Sequence, residues 1–440
     1  MNLPVLAPAP ESLYDGYAYA YPHKTAYRAL DPPVSLAEAW AEEDRRALFL
    51  YVHIPFCEMR CGYCNLFTRS RPADGEVAAY LEALARQAGR LRESLGEASF
   101  ARLAVGGGTP TFLGARGLDQ LLSLIEDTMG AGLGTVPSSV EASPGTAHRD
   151  VLALLVDRGV QRLSLGIETF DDRELAALGR PERTARAEAA LERARAAGFA
   201  TLNIDLIYGI AGQTVTSWLA SLEHALAFAP EEIYLYPLYV RPLTGLARRA
   251  PPALDQRLLL YREGRARLLA AGYQQQSMRM FRRAAHAPDA GPVYCCAQDG
   301  TVGLGAGARS YTRALHYSEG YAVSASAVRE ILAAYVARDE EDFARATWGV
   351  RLDGREQRRR YVLKTLLRVE GLSRQIYRDQ FGTDVLEDLP EVARLIDEGL
   401  ISDDGSSLTP TERGLECSDA VGPRLVSGEV AQRMRTAQLR

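Results

Sequence analysis

Leu48-Phe49-Leu50-Tyr51-Val52-His53-Ile54-Pro55-Phe56 runs directly into Cys57-Glu58-Met59-Arg60-Cys61-Gly62-Tyr63-Cys64. The first half is a short apolar run with strand-forming residues, and the second sets three thiols in the loop that follows it. Outward from this stretch the same kind of unit recurs. Further strands are expected at Arg102 to Val105, Ser139 to Ala142, Arg162 to Ile167, Thr201 to Tyr208 and Ile233 to Tyr239. Between them, Val77 to Leu95, Leu118 to Thr128, His148 to Arg158, Thr184 to Ala197 and Thr214 to Phe228 read as alanine- and arginine-rich helices. Helices of this length cross back over a sheet and make successive strands parallel. About six such units are visible, fewer than the eight of a closed (β/α) barrel. The fold expected is α/β, an incomplete barrel.

Residues 1–47 carry many tyrosines and prolines without periodicity and are expected to lie as an N-terminal arm across the domain. Residues 48–320 form the partial barrel and its extension, which includes a glycine-rich stretch from Val302 to Ser310. Residues 321–440 form a helical, winged-helix-like domain, with Asp403, Asp404 and Gly405 at the tip of a hairpin between Leu400 and Arg413. From Arg351 to Arg440 there are 15 basic and 16 acidic residues, a net of −1. That balance favours a lid over a DNA reader.

The whole chain, with 51 basic and 56 acidic residues, carries −5 and lacks the cationic surfeit that holds phosphate backbones, so nucleic acid is not an expected partner. No segment approaches the roughly 18 apolar residues of a membrane helix, and Met1 to Pro10 does not read as a signal peptide. A cytoplasmic protein is expected. Three of the six cysteines crowd into Cys57 to Cys64, which is no disulfide framework and in a reducing compartment points to a metal.

Zinc sites close a tetrahedron with further cysteines or histidines, and no second pair stands near Cys57, Cys61 and Cys64. Three ligands leave one position vacant. On zinc it would hold water; on a cubane iron-sulfur cluster it exposes one iron to the amino and carboxylate groups of a bound cofactor. Gly106-Gly107-Gly108-Thr109 at a strand end lets backbone groups approach a ligand without side chains in the way. Glu141 and Asp205 end strands on the face where barrels bind, and a carboxylate there holds an amine or a ribose hydroxyl pair, or else an N-cap or ion pair. His53 orients the cysteine loop rather than titrating. Cys295-Cys296 reads as a packing pair or a second metal site, and Cys417 as core.

The chain resembles the radical S-adenosylmethionine superfamily, in its oxygen-independent coproporphyrinogen III oxidase-like branch. The resemblance rests on Tyr51-Val-His53-Ile-Pro-Phe-Cys57 with the cysteine spacing, then Gly106 to Thr111, Glu141-Ala-Ser-Pro144, Arg162-Leu-Ser-Leu-Gly166-Ile-Glu168, Asp205-Leu-Ile-Tyr-Gly209 and Gly303 to Ser310, in family order. The arm from Tyr17 to Arg28, with Tyr19-Ala-Tyr-Pro-His-Lys24, is similar to a bacterial subgroup of that branch. The resemblance implies a 4Fe-4S cluster on Cys57, Cys61 and Cys64. It implies S-adenosylmethionine contacts from Tyr51 (backbone), Tyr63, Gly107, Gly108, Thr109, Glu141, Glu168, Arg180 and Asp205. Three positions depart from the oxidases: Glu168 replaces a glutamine, Asn65-Leu66 follows Cys64 without a further cysteine, and Pro181-Glu182 follows Arg180. The activity implied is reductive cleavage of S-adenosylmethionine to a 5′-deoxyadenosyl radical for hydrogen abstraction, in porphyrin biosynthesis, with an electron donor such as flavodoxin or ferredoxin. A haem carrier of the same branch, or a radical methyltransferase or cyclopropanase, is the alternative. Arg279, Arg282 and Arg283 read either as carboxylate ligands for the substrate or as a solvated face.

Overall fold

The computed structural model describes residues 13–14, 20–180, 183–248, 255–286, 294–438 and 440. Tyr17, Tyr19, Pro181 and Glu182 lie outside these residues. The six expected strands are present as β1 (Leu48–Ile54), β2 (Phe100–Gly107), β3 (Ser138–Ala142), β4 (Arg162–Glu168), β5 (Thr201–Tyr208) and β6 (Glu232–Pro237). The crossovers carry α1 (Glu76–Leu95), α2 (Gly114–Ser123), α3 (Arg149–Asp157), α4 (Thr184–Ala197) and α5 (Val215–Ala227). A short helix at Asp172–Ala177, N-capped by Asp171, adds a turn that periodicity did not reveal, being too brief to show one.

All six strands are parallel, β1 through β6 in order. Burial explains the apolar runs: in β5 only Asp205 is not fully buried among Thr201 to Tyr208. Helix α1 buries Tyr80, Ala83, Leu84, Ala88, Leu91 and Leu95, one stripe at the helical period, against the sheet. The sheet extends beyond the barrel. Thr301–Leu304 pairs parallel with β1, then Arg309–Tyr311, Leu315–Ser318, Arg345–Arg351 and Arg28–Ser35 follow antiparallel, while Met280–Arg283 and Tyr273–Gln275 continue past β6. Arg28–Ser35 and Tyr273–Gln275 end the sheet without pairing to each other, which leaves the barrel open.

The arm and the C-terminal region are tied into the sheet and the cores. Arg28–Ser35 is a ladder strand on Arg345–Arg351, formed because Ala29 and Val34 find partners only in the fold. The main core takes in Val328, Leu332, Tyr335 and Ala346, whereas a second core gathers residues from Tyr361 to Val430 together with Tyr21, Ala26 and Ala297. Beyond it, helices Gly354–Leu366, Arg374–Phe381 and Glu391–Asp397 pack with a small sheet of Leu372–Ser373, Ser407–Pro410 and Ile401–Asp403. Gly405 turns that hairpin with φ +85°.

This unit docks on the barrel through charge. Arg279 donates to Asp419 at 2.6 Å, both side chains are buried, and the Tyr239 hydroxyl joins them. Arg262–Glu416 at 2.6 Å and Arg265–Glu412 at 2.7 Å flank the pair at more exposed positions. Removing one partner of a buried pair leaves the other charge desolvated, a cost of about 3 to 5 kcal/mol. Asp419→Ala is expected to loosen the C-terminal unit by that order, seen as faster amide exchange in Gly354–Leu366, while Glu412→Ala at the rim changes exchange little; equal behaviour of the two would count against the buried pair as the anchor.

Candidate active site

The loops after β1 through β6 face one side of the open barrel, and a cavity of about 420 Å³ lies among them. Cys57, Cys61, Cys64, Tyr63, Gly107, Gly108, Thr109, Glu141, Glu168, Arg180 and Asp205 all line it. Tyr51 lines an adjoining cavity of about 650 Å³ that shares Asn65, Leu66, Gly107, Glu141 and Tyr239 with the first.

The cysteine loop is held by its backbone. Gly62 N–H donates to the Leu178 carbonyl at 2.9 Å, and its own carbonyl accepts from Leu246 N–H at 2.8 Å. A Cβ at Gly62 would stand 2.7 Å from the Leu178 oxygen, so this crossing requires glycine. On the other side, Thr109 N–H donates to the Phe56 carbonyl at 2.8 Å, and the Thr109 hydroxyl reaches the Cys57 sulfur at 3.5 Å.

Behind the loop, His53 is buried and neutral. Its Nε2 bonds the Phe67 carbonyl at 3.0 Å, its Nδ1 faces the Tyr51 hydroxyl at 3.3 Å, and burial pulls its pKa down to about 4. Its bond to Phe67 ties the end of β1 to the segment beyond Cys64. Gly107 adopts φ +114° with the ring so close that a Cβ would meet His53 Cε1 at 2.6 Å, and its N–H donates to Glu141 Oε2 at 3.1 Å.

Three carboxylates border the cavity, and each is held differently. Asp205 accepts from Ser164 at 3.2 Å and from Asn203 at 2.8 Å, and burial raises its pKa. Glu141 opens toward the cavity yet lies deep within the molecule, and desolvation pushes it up to about 7 with Asp205 adding like charge. Glu168 accepts from Tyr63 at 2.7 Å and from Arg180 at 2.9 Å, so the charge it adds is offset. It also holds φ +72°, a left-handed backbone in a buried non-glycine residue, and such strain gathers at functional sites. Ser164 lies within a motif the sequence analysis quoted, and Asn203 within β5, but neither carried a signal of its own for supporting Asp205.

The thiols suit a cluster better than a single ion. Burial pushes Cys57 to about 12 and Cys61 to about 11, and raises Cys64, so only a strong cationic centre would deprotonate them. Among the described residues no group of three or more His, Cys, Asp or Glu closes to a single-ion site. In a 4Fe-4S cluster each sulfur binds a different iron, which calls for thiols spread more widely than around one ion. Cys295 packs on the second core, and the Cys296 carbonyl accepts from Arg360 at 3.0 Å.

The larger cavity corrects the expectation for arginines. Arg279 is committed to Asp419, and Arg282 bonds Glu232 at 2.8 Å. Lys24, Arg241 and Arg309 line the cavity instead, among Tyr21, Phe67, Tyr236, Tyr239 and Tyr321, with Pro423, Val426 and Met434 of the C-terminal unit closing it. The sequence placed none of these, because the arm, the loop after β6 and the last helices meet only in the fold.

The radical SAM superfamily profile matches residues 51–225, and that of the HemN C-terminal domain matches 352–416. The heme chaperone HemW of Haemophilus influenzae is 31% identical over 243 residues, 54% of this chain and 63% of that protein. The chain thus spans somewhat less than two thirds of that relative, but 95% of the Bacillus subtilis heme chaperone HemW, at 28% identity over 83% of this chain. The oxygen-independent coproporphyrinogen III oxidase of Paracoccus denitrificans is 28% identical, covering 84% of each chain. The solved coproporphyrinogen III oxidase HemN of Escherichia coli superposes with TM-score 0.75 over 94% of this chain and 99% of its own, at 23% identity, a likeness of fold.

Gly107→Ala combines a left-handed backbone with a clash on a buried ring, and is expected to cost roughly 1 to 3 kcal/mol or more. Thermal denaturation checks this against Gly212→Ala, which has φ +84° but nothing within 4 Å of the added carbon. The Gly107 variant should melt lower than the Gly212 one.

Proposed function

This chain belongs to the radical SAM superfamily, in its oxygen-independent coproporphyrinogen III oxidase-like branch, and on that premise we propose that it is an oxidoreductase acting on a carboxylate-bearing macrocycle of the porphyrin type. The observation that carries the proposal is the convergence of three thiols, the glycine turn and three differently held carboxylates on one cavity that opens into a larger aromatic and cationic one.

Cys57, Cys61 and Cys64 would hold a 4Fe-4S cluster, and the glycine turn, Glu141 and Asp205 the S-adenosylmethionine beside it. Together such groups supply one electron and a 5′-deoxyadenosyl radical competent to abstract hydrogen. The chain's own residues do the positioning. Asp205, with Oδ1 and Oδ2 oriented by Asn203 and Ser164, is set to accept from paired hydroxyls. Glu141 is set to accept from an ammonium, which also restores its charge. Tyr63, tied to Glu168, offers an aromatic face between two of the thiols. Tyr51, in β1, adds its backbone to the same binding role. Lys24, Arg241 and Arg309 suit peripheral carboxylates, and the tyrosines around them a flat apolar ring. The C-terminal unit shuts the open side and keeps water out while the reaction proceeds.

Haem carriage is the second reading, favoured by the heme chaperone relatives and by Asn65-Leu66 standing after Cys64 where the oxidases have a cysteine. One anaerobic experiment separates them: 5′-deoxyadenosine and product are measured with coproporphyrinogen III and a reductant, beside a haem titration. Porphyrinogen-dependent turnover supports the oxidase; tight stoichiometric haem binding without turnover overturns it for the carrier.

Alanine at Cys57, Cys61 or Cys64 is expected to abolish cluster iron and sulfide in reconstituted protein, and a variant retaining both would mean other ligands. Asp205→Ala should leave the iron intact and weaken S-adenosylmethionine binding about 10- to 100-fold, the worth of one charge-assisted hydrogen bond at about 1.5 to 3 kcal/mol. With desolvation pushing the Glu141 carboxyl up to about 7, the carboxylate is expected to gain a proton as pH falls through that value, and affinity for the ammonium to fall with it. Calorimetry from pH 6 to 8 should show this slope, and Glu141→Gln should flatten it.

A further inference from the structure

Tyr239, in the loop after β6, lines both cavities and forms part of the wall between them. Its hydroxyl bonds the Asp419 carboxylate and accepts from Arg279 Nη2 at 2.5 Å. The far end of the ring is therefore fixed by one group of the barrel and one of the C-terminal unit. Over that ring lies the guanidinium of Arg241, its central carbon 4.8 Å from the ring centroid, within the range of a cation–π contact. The Arg241 carbonyl accepts from the hydroxyl of buried Thr244 at 2.7 Å. Arg241 is thus held at its backbone by a threonine and at its head by an anchored ring, and it lines the larger cavity. An arginine that closes on a carboxylate gives up rotamer freedom, and one already stacked has less to give up.

We propose that Tyr239 is a positioning residue through which the docked C-terminal unit presets Arg241 for one carboxylate of the substrate. The link rests on the proposed reading of the larger cavity as the seat of a carboxylate-bearing macrocycle. Arg279 and Asp419 form the buried pair that docks the unit, and the same pair orients the phenol. When Asp419 withdraws, the hydroxyl loses one of these two partners, the ring turns more freely and the guanidinium loses its platform. Coupling of this kind is reciprocal: a carboxylate that binds the preset arginine more tightly favours the docked state by the same factor. Substrate therefore reinforces the closure that keeps water from the site.

The test is a spectrophotometric titration of the reconstituted full chain with coproporphyrin III under anaerobic conditions, beside amide exchange with and without that porphyrin. Arg241→Gln is expected to weaken binding about 10- to 100-fold, the loss of one charge-assisted contact. Tyr239→Phe keeps the ring and the Arg279–Asp419 pair but releases the far end of the ring. It is expected to weaken binding about 2- to 10-fold, the scale of ordering one long side chain. In the Arg241→Gln background Tyr239→Phe should cost nothing further. A loss of undiminished size there overturns the link, because it would mark the hydroxyl as a direct porphyrin contact, and so does Tyr239→Phe binding at wild-type strength. Coproporphyrin III should slow exchange in Ser418–Arg424 of the wild type, and less in Arg241→Gln. Equal slowing in the two proteins, or none in either, overturns the link whatever Tyr239→Phe does. Wild-type protein that binds no coproporphyrin III would defeat the porphyrin reading and the link with it, whereas normal binding with unmoved variants sinks the link alone.

Discussion

The site depends on three separate loops closing on one imidazole. A Cβ at Gly107 would meet the His53 ring at 2.6 Å, one at Gly307 would meet His53 Nε2 at 2.8 Å, and one at Gly305 would meet the His53 carbonyl at 2.6 Å. Positive φ at all three keeps side chains out of this space: +114°, +98° and +94°. The turn after β2 and the late glycine-rich turn are thereby drawn against the end of β1, and the ring, anchored to Phe67, fixes the exit of the cysteine loop. Tyr80 of α1 completes the arrangement by donating to the His53 carbonyl at 2.7 Å. Two regions some two hundred residues apart in sequence thus share one packed histidine.

Charge inside the barrel is managed by unequal means. Glu168 has a cation and a phenol, Asp205 has neutral donors, and Glu141 has a single backbone N–H. Glu168 is thus ion-paired, whereas Glu141 faces the cavity, with the Arg162 charge opposing the upward pull of desolvation and Asp205 on its carboxyl. The larger cavity has the opposite sign, with Lys24, Arg241 and Arg309 on its walls.

Closure of the open barrel is shared by both ends of the chain. Tyr21 accepts from Ser427 N–H at 3.2 Å and bonds Glu356, while Arg28 donates to the Thr436 hydroxyl at 3.0 Å. The helix Gly428–Arg435 packs on the turn Lys24–Ala26. The residues that seal the larger cavity thus brace one another, and the buried Arg279–Asp419 pair locks them to the barrel.

The repeated strands and helices were legible in the sequence because burial on a parallel sheet writes itself as apolar runs of strand length, and crossovers as helical period; Thr184–Ala197 matches its expected bounds residue for residue. The thiols were legible because their ligand spacing is local. Gly107 ends β2 and Glu141 stands one residue before the end of β3, whereas Asp205 lies within β5, three residues before its end. What only the tertiary structure decided is whatever depends on distant segments meeting. Arg28–Ser35 became a strand because Arg345–Arg351 offered it a ladder. Arg279 was withdrawn from the cavity because Asp419 reaches it across 140 positions of chain. Lys24 and Tyr321 met beside Asn65 because the arm and the sheet extension converge there. Periodicity and spacing report each residue's local environment, and a countercharge or a cavity wall belongs to pairs of residues that local pattern does not join.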